Sequence, residues 1–413
     1  MGEAVALFPR GEQPSHVPDG LVVEFDVYSP PKLQEGFHEA WKTLQDSGHG
    51  NIVWTPCNGG HWIATSAALM PEVLSDYETF SSRSIIVPRE VGETYHILPT
   101  HLSPPEHRPF RKLLNAGLSP KKIISLQPEI AKVIADLAEG VRDKGECCFT
   151  TEIAELFPTS IIMLILGLPV EDGPYLKQWA DHIMRPDGTV AISQAEEKLI
   201  EYLRPIISDR QANPQDDMIS GLVNGTVDGR ELTEDEYFQL VLEVVIAGLD
   251  TVVNFMNFVW HYLGSNPKAR QELVDNPSLI ESAADEFVRR YGLVMVGRVI
   301  EKDITFHGVD MKEGEMIIAP TFLSALDEEV NPNPMEVDFH RNRVSHTTFG
   351  SGPHRCAGAS LARVEVIAAL REWLARIPHF SVKESEKPIY SAGTVGSMGN
   401  LHLVWDPATT NSR

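Results

Sequence analysis

The chain has 413 residues, with 35 Lys and Arg against 58 Asp and Glu, so its formal net charge is −23 with histidine neutral. A chain this acidic disfavours nucleic acids and anionic membranes as partners, because both are bound through basic surfaces. Hydrophobic residues make up 42% of the sequence, which is ordinary for a globular protein with a large core and excludes a disordered or collagen-like chain.

Cysteine usage and the N-terminal segment indicate the compartment. Only four cysteines occur, and adjacent Cys147 and Cys148 fit neither a disulfide framework nor a CxxC metal site. The N-terminal segment is rich in proline and lacks a basic stretch followed by an apolar one, so no signal peptide is predicted. The most apolar stretch, residues 161–168, is too short to span a bilayer. We therefore expect a cytoplasmic, monomeric protein without a membrane segment.

Strand patterns predict three minor β regions, near residues 50–66, 298–319 and 380–405. In the first, apolar segments flank Asn58-Gly59-Gly60, which is typical of a hairpin. In the second, residues 304–306 and 316–318 are predicted to form one small sheet.

Helical periodicity extends over most of the remaining chain, including residues 123–141, 195–212, 269–291 and 360–377. No linker or repeat divides the sequence. We therefore predict a single domain over residues 1–413, with a mainly α fold and small β-sheets.

The longest predicted helix begins at Thr233 and runs to Gly264. Thr233 and Glu236 form a capping-box pattern, and the helix would be about 45 Å long at 1.5 Å per residue. Its interior contains Ala247-Gly248-Leu249-Asp250-Thr251, in which the glycine, the aspartate and the threonine are poor helix formers. Two interpretations are open: a weak solvated turn, or a groove where the helix passes a cofactor and the threonine hydroxyl bonds back to a carbonyl.

The most specific segment is Phe349-Gly-Ser-Gly-Pro-His-Arg-Cys-Ala-Gly358, which precedes the last long helical pattern. Its glycines permit a tight loop, and the following helix presents its positive end, so a thiolate is favoured at Cys356. Such a thiolate is either a nucleophile or a metal ligand. The nucleophile needs a histidine base and an orienting group, which no local motif supplies.

This segment resembles the haem-binding loop of the cytochromes P-450, in which the cysteine thiolate is the axial iron ligand. Glu286 and Arg289 resemble the Glu-x-x-Arg helix motif of that family, Arg341 resembles its third partner, and residues 247–251 resemble its oxygen-binding helix motif. The resemblance implies the P-450 fold, a helix-rich triangular prism with minor sheets. It also implies haem b bound through Cys356, with Glu286, Arg289 and Arg341 bracing the loop.

Residues 248–255, 344–350 and 403–410 are similar to the bacterial camphor monooxygenase branch of the family. This implies hydroxylation of an unactivated C–H bond in a small cyclic monoterpenoid, camphor or a camphor-like ketone, with O2 as co-substrate. Two electrons would come from a 2Fe-2S ferredoxin served by a separate NAD(P)H-dependent reductase. Three alternatives stay open: the same chemistry on cineole or another terpenoid, a peroxide-driven peroxygenase, and a non-enzymatic haem-thiolate sensor.

The same resemblance assigns site residues. Asp250 and Thr251 are expected to deliver protons, with Lys177 and Arg185 as relay partners of the aspartate. The haem is expected to contact Thr100, His107, Arg111, Arg298, His354 and Cys356. The substrate is expected to contact Ile86, Tyr95, Ile97, Glu243, Ile246, Ala247, Val294, Val296, Thr394 and Val395.

Several of these residues depart from the camphor-type pattern. Ile86 and Ile97 stand in place of aromatic residues, Val296 replaces an acid, Thr394 an aliphatic residue and Glu243 a leucine. The pocket is expected to be more aliphatic, with Tyr95 retained as a hydrogen-bond donor to a substrate carbonyl. For the ferredoxin, a local basic patch over the cysteine face is predicted from Arg108, Arg111, Arg343, Arg355 and Arg363.

Overall fold

The structure is a computed structural model that describes residues 8–94 and 96–410. Tyr95, a predicted substrate contact, lies outside these residues. Helices dominate the described chain, as the sequence predicts. They are α1 Phe37–Gln45, α2 Leu69–Ser75, α3 Arg89–Gly92, α4 His107–Gly117, α5 Pro120–Arg142, α6 Leu156–Leu166, α7 Gly173–Met184, α8 Ile192–Ala212, α9 Met218–Val223, α10 Glu234–Ser265, α11 Pro267–Asp275, α12 Ile280–Arg290 and α13 Ala359–Arg376.

The long helix α10 is confirmed, with both halves of its capping box formed. The Thr233 side chain accepts a hydrogen bond from the Glu236 amide, and the Glu236 carboxylate accepts one from the Thr233 amide. α10 packs against α6, α7 and the C-terminal sheets. It is long and apolar enough to cross a membrane, but 67% of its most apolar window is buried inside the fold. It is therefore the central core helix.

The predicted helices at 123–141, 195–212 and 360–377 are confirmed by α5, α8 and α13. The single helix predicted over 269–291 is wrong. α11 ends at Asp275, and α12 begins only at Ile280. Pro277 lacks an amide proton and holds the preceding residue, Asn276, in a non-helical conformation, so the helix cannot continue through it.

Small sheets lie at the three predicted regions. Their strands are β1 Ile52–Thr55, β2 His61–Ala64, β3 Phe80–Ser81, β4 Glu146–Cys148, β5 Thr226–Val227, β6 Arg230–Glu231, β7 Met295–Ile300, β8 Ile304–Phe306, β9 Val309–Met311, β10 Met316–Pro320, β11 Ser381–Val382, β12 Ile389–Ser391, β13 Ser397–Gly399 and β14 His402–Val404. The hairpin predicted around Asn58 is β1 paired with β2. β14 pairs with both β11 and β4, and the sequence did not predict β4.

The sheet predicted to unite 304–306 with 316–318 is also wrong. His307 and Gly308 have positive φ angles of 48° and 82° and close a tight hairpin, so β8 pairs with β9. β10, which is buried at every position, instead pairs parallel to β2 and antiparallel to β7. The main sheet therefore has the order β1-β2-β10-β7-β3.

Candidate active site

A tight loop before α13 holds Cys356. The Cys356 amide donates to the Phe349 carbonyl at 2.8 Å, and Gly350 and Gly352 have φ angles of 73° and 67°. At Gly352 a side chain is excluded further, because a Cβ atom would lie 2.8 Å from the Cα of Ser75. These two glycines thus permit a turn that a residue with a side chain would strain.

The Cys356 side chain faces a cleft inside the protein. The side chain has accessible surface, but the protein surrounds it and thereby raises the pKa of its thiol. The Gly358 amide and the charge of Arg111 act against this rise. Ala247 is likewise exposed in the middle of α10, whereas Ile246 and Leu249 beside it are buried. The charge of Glu243, one turn earlier on α10, acts on the same thiol. The loop and α10 therefore face each other across this cleft.

Basic side chains gather at one edge of the cleft. Arg298 is 3% exposed, and its one hydrogen bond within the described chain runs to the Gly297 carbonyl at 2.8 Å. Burial lowers the pKa of Arg298 to about 10. The rings of His107 and His354 lie 4.4 Å apart, and Nε2 of each is buried with no partner among residues 8–94 and 96–410. Burial lowers the pKa of His354 to about 2, helped by the charges of Arg298, His107 and Arg111.

This arrangement fits haem. Arg298 makes no ion pair with any carboxylate in the described residues, although a buried guanidinium is normally paired. A ligand with two carboxylates would supply the missing acceptors, and a metal ion would replace the proton on the Cys356 sulfur. Arg111 already donates to the Arg355 carbonyl and to Asn115, at 3.0 Å in the second case. Thr100, the remaining predicted cofactor contact, donates to Glu243 at 2.5 Å.

Asp250 lies under α7 in a network of ionised side chains. It is 0% exposed, and Arg185 holds both its oxygens at 2.5 and 2.7 Å. Lys177 approaches to 3.6 Å. Burial opposes ionisation of Asp250, but these cations lower its pKa to about 2. The structure thus brings Asp250, Arg185 and Lys177, which the resemblance grouped, into contact, and their role in proton delivery stays a prediction.

The sequence analysis did not predict two members of this network, Asp181 and Asn254. Asp181 accepts from Lys177 at 2.7 Å and from Arg185 at 2.7 Å, and its side chain is 37% exposed. Burial and the charge of Asp250 raise its pKa to about 6. Asn254 donates to Asp250 at 2.7 Å. The spacing of residues 177, 181 and 185 on one helix face could have revealed Asp181.

Thr251 follows Asp250 and is half-buried beside the cleft. Its hydroxyl donates to the Ala247 carbonyl at 3.1 Å, which is the back-bonding that the groove interpretation expects. The hydroxyl and the exposed Ala247 therefore border the cleft from the same stretch of α10. The solvated-turn interpretation is wrong, since Leu249 and Asp250 within the stretch are buried.

The predicted substrate contacts come from four segments. Val294, Val296 and Arg298 share one face of β7 and its preceding residue, because side chains alternate along a strand. Val294 forms a β-bridge with Val395, and Thr394 bonds through its backbone to Met295. Residue 85 accepts from Gly297, which places the neighbouring Ile86 beside β7. Ile86, Ile97, Ile246, Thr394 and Val395 are buried.

The Glu286–Arg289 pair is fully buried, and hydrogen bonds connect it to the segment that precedes the cysteine loop. The two side chains form a bidentate pair at 2.8 Å, and Arg341 adds contacts to Glu286 at 3.2 Å. Arg289 also donates to the Ala325 carbonyl at 3.0 Å. Asn331 donates to that carbonyl and, at 2.8 Å, to Ser345, which links the network to the start of the loop.

A surface cleft of about 390 Å³ lies at the start of α4, beside the cysteine loop, and is lined by His107, Arg108, Arg111, Lys112 and Pro353 among others. Arg108, Arg343 and Arg355 are exposed, as a docking patch requires. Arg363 is paired with Asp285 at 2.6 Å, so its charge is largely neutralised. Exposed Lys112, which the sequence prediction omitted, adds a positive charge here.

Known proteins resemble the chain over nearly its whole length. The family model for cytochrome P-450 matches residues 31–398. The probable cytochrome P-450 127A1 of Sinorhizobium fredii is 33% identical over 401 residues, covering 95% of this chain and 96% of that protein. The solved structure of CYP101J2 is 41% identical with a TM-score of 0.89, covering 96% of this chain and 99% of the other. That of CYP101C1 is 36% identical with the same TM-score, covering 96% and 100%.

The chain therefore belongs to the cytochrome P-450 family, and the expected P-450 fold is confirmed. Members of this family bind haem through a cysteine thiolate and use O2 for monooxygenation. The protein is accordingly a haem-thiolate monooxygenase.

Proposed function

We propose that this monooxygenase hydroxylates an unactivated C–H bond of a small cyclic monoterpenoid, with camphor or a camphor-like ketone as the first candidate. The observation that carries the proposal is the internal cleft between Cys356 and α10, edged by basic side chains among which Arg298 has no carboxylate partner in the described residues. Cys356 would ligate the iron of haem b, and Arg298, Arg111, His354 and His107 would hold its propionates. When bound, the haem supplies the activation of O2 and the oxidation of the substrate carbon.

Proton supply is assigned to the network around Asp250. One oxygen atom enters the substrate and the other leaves as water, so two protons and two electrons are consumed. Asp181 is part-exposed, and its raised pKa, about 6, lets it exchange protons with solvent near neutral pH. Asp250 lies inward of it and carries protons to the cleft once Arg185 releases it. Thr251 holds the last proton donor in place with its hydroxyl.

The pocket proposed for the substrate is mostly aliphatic. Ile86, Ile97 and Val296 would surround a compact ring system, and their lack of polar atoms favours a hydrocarbon skeleton over a polar one. The phenol of Tyr95 is assigned to donate to a carbonyl or ether oxygen. Camphor fits this combination, and cineole is the second candidate.

Electrons are proposed to come from a 2Fe-2S ferredoxin with a separate reductase, docking over the surface cleft at α4. Exposed Arg108 and Lys112 give this face a local positive charge on a chain of net charge −23, and exposed Arg343 is proposed to extend it. An acidic partner would be steered there despite the repulsion of the whole molecule. We propose a cytoplasmic monomer, in keeping with a small soluble donor.

The test combines a spectrum with turnover. The reduced protein should give the red-shifted carbon monoxide band of thiolate ligation, and Cys356→His should abolish that band. With ferredoxin, reductase, NADH and O2, camphor should be hydroxylated with one NADH consumed per product. Turnover supported by peroxide but not by ferredoxin would identify a peroxygenase. Ligand binding without any oxidised product would identify a sensor.

A further inference from the structure

Glu243 is an acid on the stripe of α10 that borders the cleft. Glu243, Ala247 and Thr251 are four residues apart and so lie on one helix face. All three are accessible to some degree, whereas Val244 and Leu249, on other faces, are buried. The carboxyl group therefore faces the same cleft as Cys356, whose thiol senses its charge.

One oxygen of this carboxyl group is free. Oε1 accepts from the Thr100 hydroxyl at 2.5 Å, and within residues 8–94 and 96–410 no side chain or amide bonds to Oε2. Burial raises the pKa of Glu243 to about 7, opposed by the Thr100 hydrogen bond and the charge of Arg111. A carboxyl oxygen that a ligand shields from water without bonding to it is unfavourable by several kcal/mol in general, whereas a leucine at this position would avoid that loss.

We propose that Glu243 is a specificity-determining residue whose free oxygen bonds a hydroxyl group of the substrate, so that the protein selects a small cyclic alcohol. This rests on the proposed function and, within its class of small cyclic terpenoids, favours an alcohol over the ketone and the ether named there. A hydroxyl group both donates and accepts, and therefore pairs with Glu243 whether the carboxyl group is ionised or neutral. A ketone or an ether only accepts, and a hydrocarbon leaves Oε2 unpaired.

The experiment compares three probes with one carbon skeleton in the haem-loaded enzyme: the hydrocarbon camphane, the ketone camphor and the alcohol borneol. Dissociation constants come from the spin-state shift at about pH 8. Wild type should bind borneol at least about tenfold more tightly than camphane, the gain typical of a hydrogen bond to a charged group. In Glu243→Leu this ratio should fall to near one, mainly by loss of borneol affinity.

Three further variants separate ligand contact from a structural role. Thr100→Val removes the partner of Oε1. If Glu243 bonds the substrate, this variant should keep the preference for borneol over camphane. If Glu243 serves only to hold Thr100, this variant should lose that preference, as the Glu243 variants do. Glu243→Gln keeps the shape and should give an intermediate ratio, even if the leucine variant fails to load haem. Asp235→Asn, at an exposed acid in the first turn of the same helix, is the matched control and should match wild type.

An unchanged ratio in both Glu243 variants would overturn the assignment while leaving the proposed function intact. Equal affinity of wild type for borneol and camphane would also overturn it. A thiolate carbon monoxide band with no shift from any of the three probes would instead contradict the terpenoid substrate class itself, and the role of Glu243 with it.

Discussion

Replacing Arg298 by methionine should have opposite effects on the haem-free chain and on haem retention. The guanidinium is 3% exposed and bonds the adjacent Gly297 carbonyl at 2.8 Å. Methionine fills a similar volume with no charge to desolvate. The haem-free chain should therefore become more stable, while the complex loses a charged contact to the cofactor.

The pKa of Arg298 sets the magnitude. Burial lowers it from 12.5 to about 10, and one pKa unit is worth about 1.36 kcal/mol, so the buried charge costs about 3 kcal/mol. Below pH 10 the group is charged in both the folded and the unfolded chain. The cost is thus fully present at neutral pH, and it declines only as the pH rises above about 10. Loss of a charge-assisted hydrogen bond to a carboxylate should speed haem dissociation by about 10-fold to 100-fold.

The assays are urea unfolding of the haem-free chain and transfer of haem to an excess of apomyoglobin. Arg270→Met is the matched control. Arg270 is also buried and has its pKa lowered by burial, but it bonds the Leu263 and Pro378 carbonyls at 2.9 and 3.1 Å, away from the cleft. The control should lose stability and release haem as wild type does. The reasoning is refuted if Arg298→Met also loses haem-free stability, or if it retains haem like wild type.

Three further predictions concern protons, electrons and pH. Thr251→Ala should keep O2 consumption but release most of it as hydrogen peroxide; oxygen use still matched by product would contradict its role. Arg108→Glu should slow reduction by ferredoxin about 10-fold or more at low salt with unchanged substrate affinity. Arg363→Ala should change the rate little, because Asp285 already pairs with Arg363. Equal effects of the two variants on the rate would argue against the docking face. Burial raises the pKa of Glu365 from 4.5 to about 8, so folding takes up a proton between these values and stability falls as pH rises through them. Glu365→Gln should remove this dependence of stability on pH and should be up to about 3 kcal/mol more stable than wild type at pH 7. The free energy of unfolding is measured from pH 5 to 8. A pH dependence equal to that of wild type would show that Glu365 is not its source.

The sequence predicted those features of the fold that depend on residues close together in the chain, such as helix caps and glycine turns. The Thr233 capping box placed the start of α10, and the glycines before α13 placed the cysteine loop. Pro277 divides the helix predicted over 269–291, and periodicity alone missed this break because the apolar pattern continues on both sides of the proline. β10 was assigned to the wrong partner because pattern alone does not choose between a neighbouring strand and one far along the chain.

The candidate site shows the same division. The resemblance named Asp250, Lys177 and Arg185, and the spacing of residues 177, 181 and 185 could have added Asp181, but its link to Asp250 through Arg185 and Lys177 required the placement of two helices. The cluster of basic side chains around His354 joins residues from α4, β7 and the cysteine loop, and no single segment contains its pattern. The bond from Thr100 to Glu243 likewise joins distant segments, so the free Oε2 atom could not be predicted.

The position of β10 has a consequence for how the protein is made. Trp62 of β2 pairs with Ile317 of β10, and Arg298 of β7 pairs with the same Ile317. The N-terminal hairpin thus has no neighbouring strand until most of the chain has left the ribosome, and Arg298 is not fixed before then. Such long-range pairing is slow and leaves apolar strand edges open during synthesis. We therefore expect haem to be captured late, when nearly the whole chain has been made.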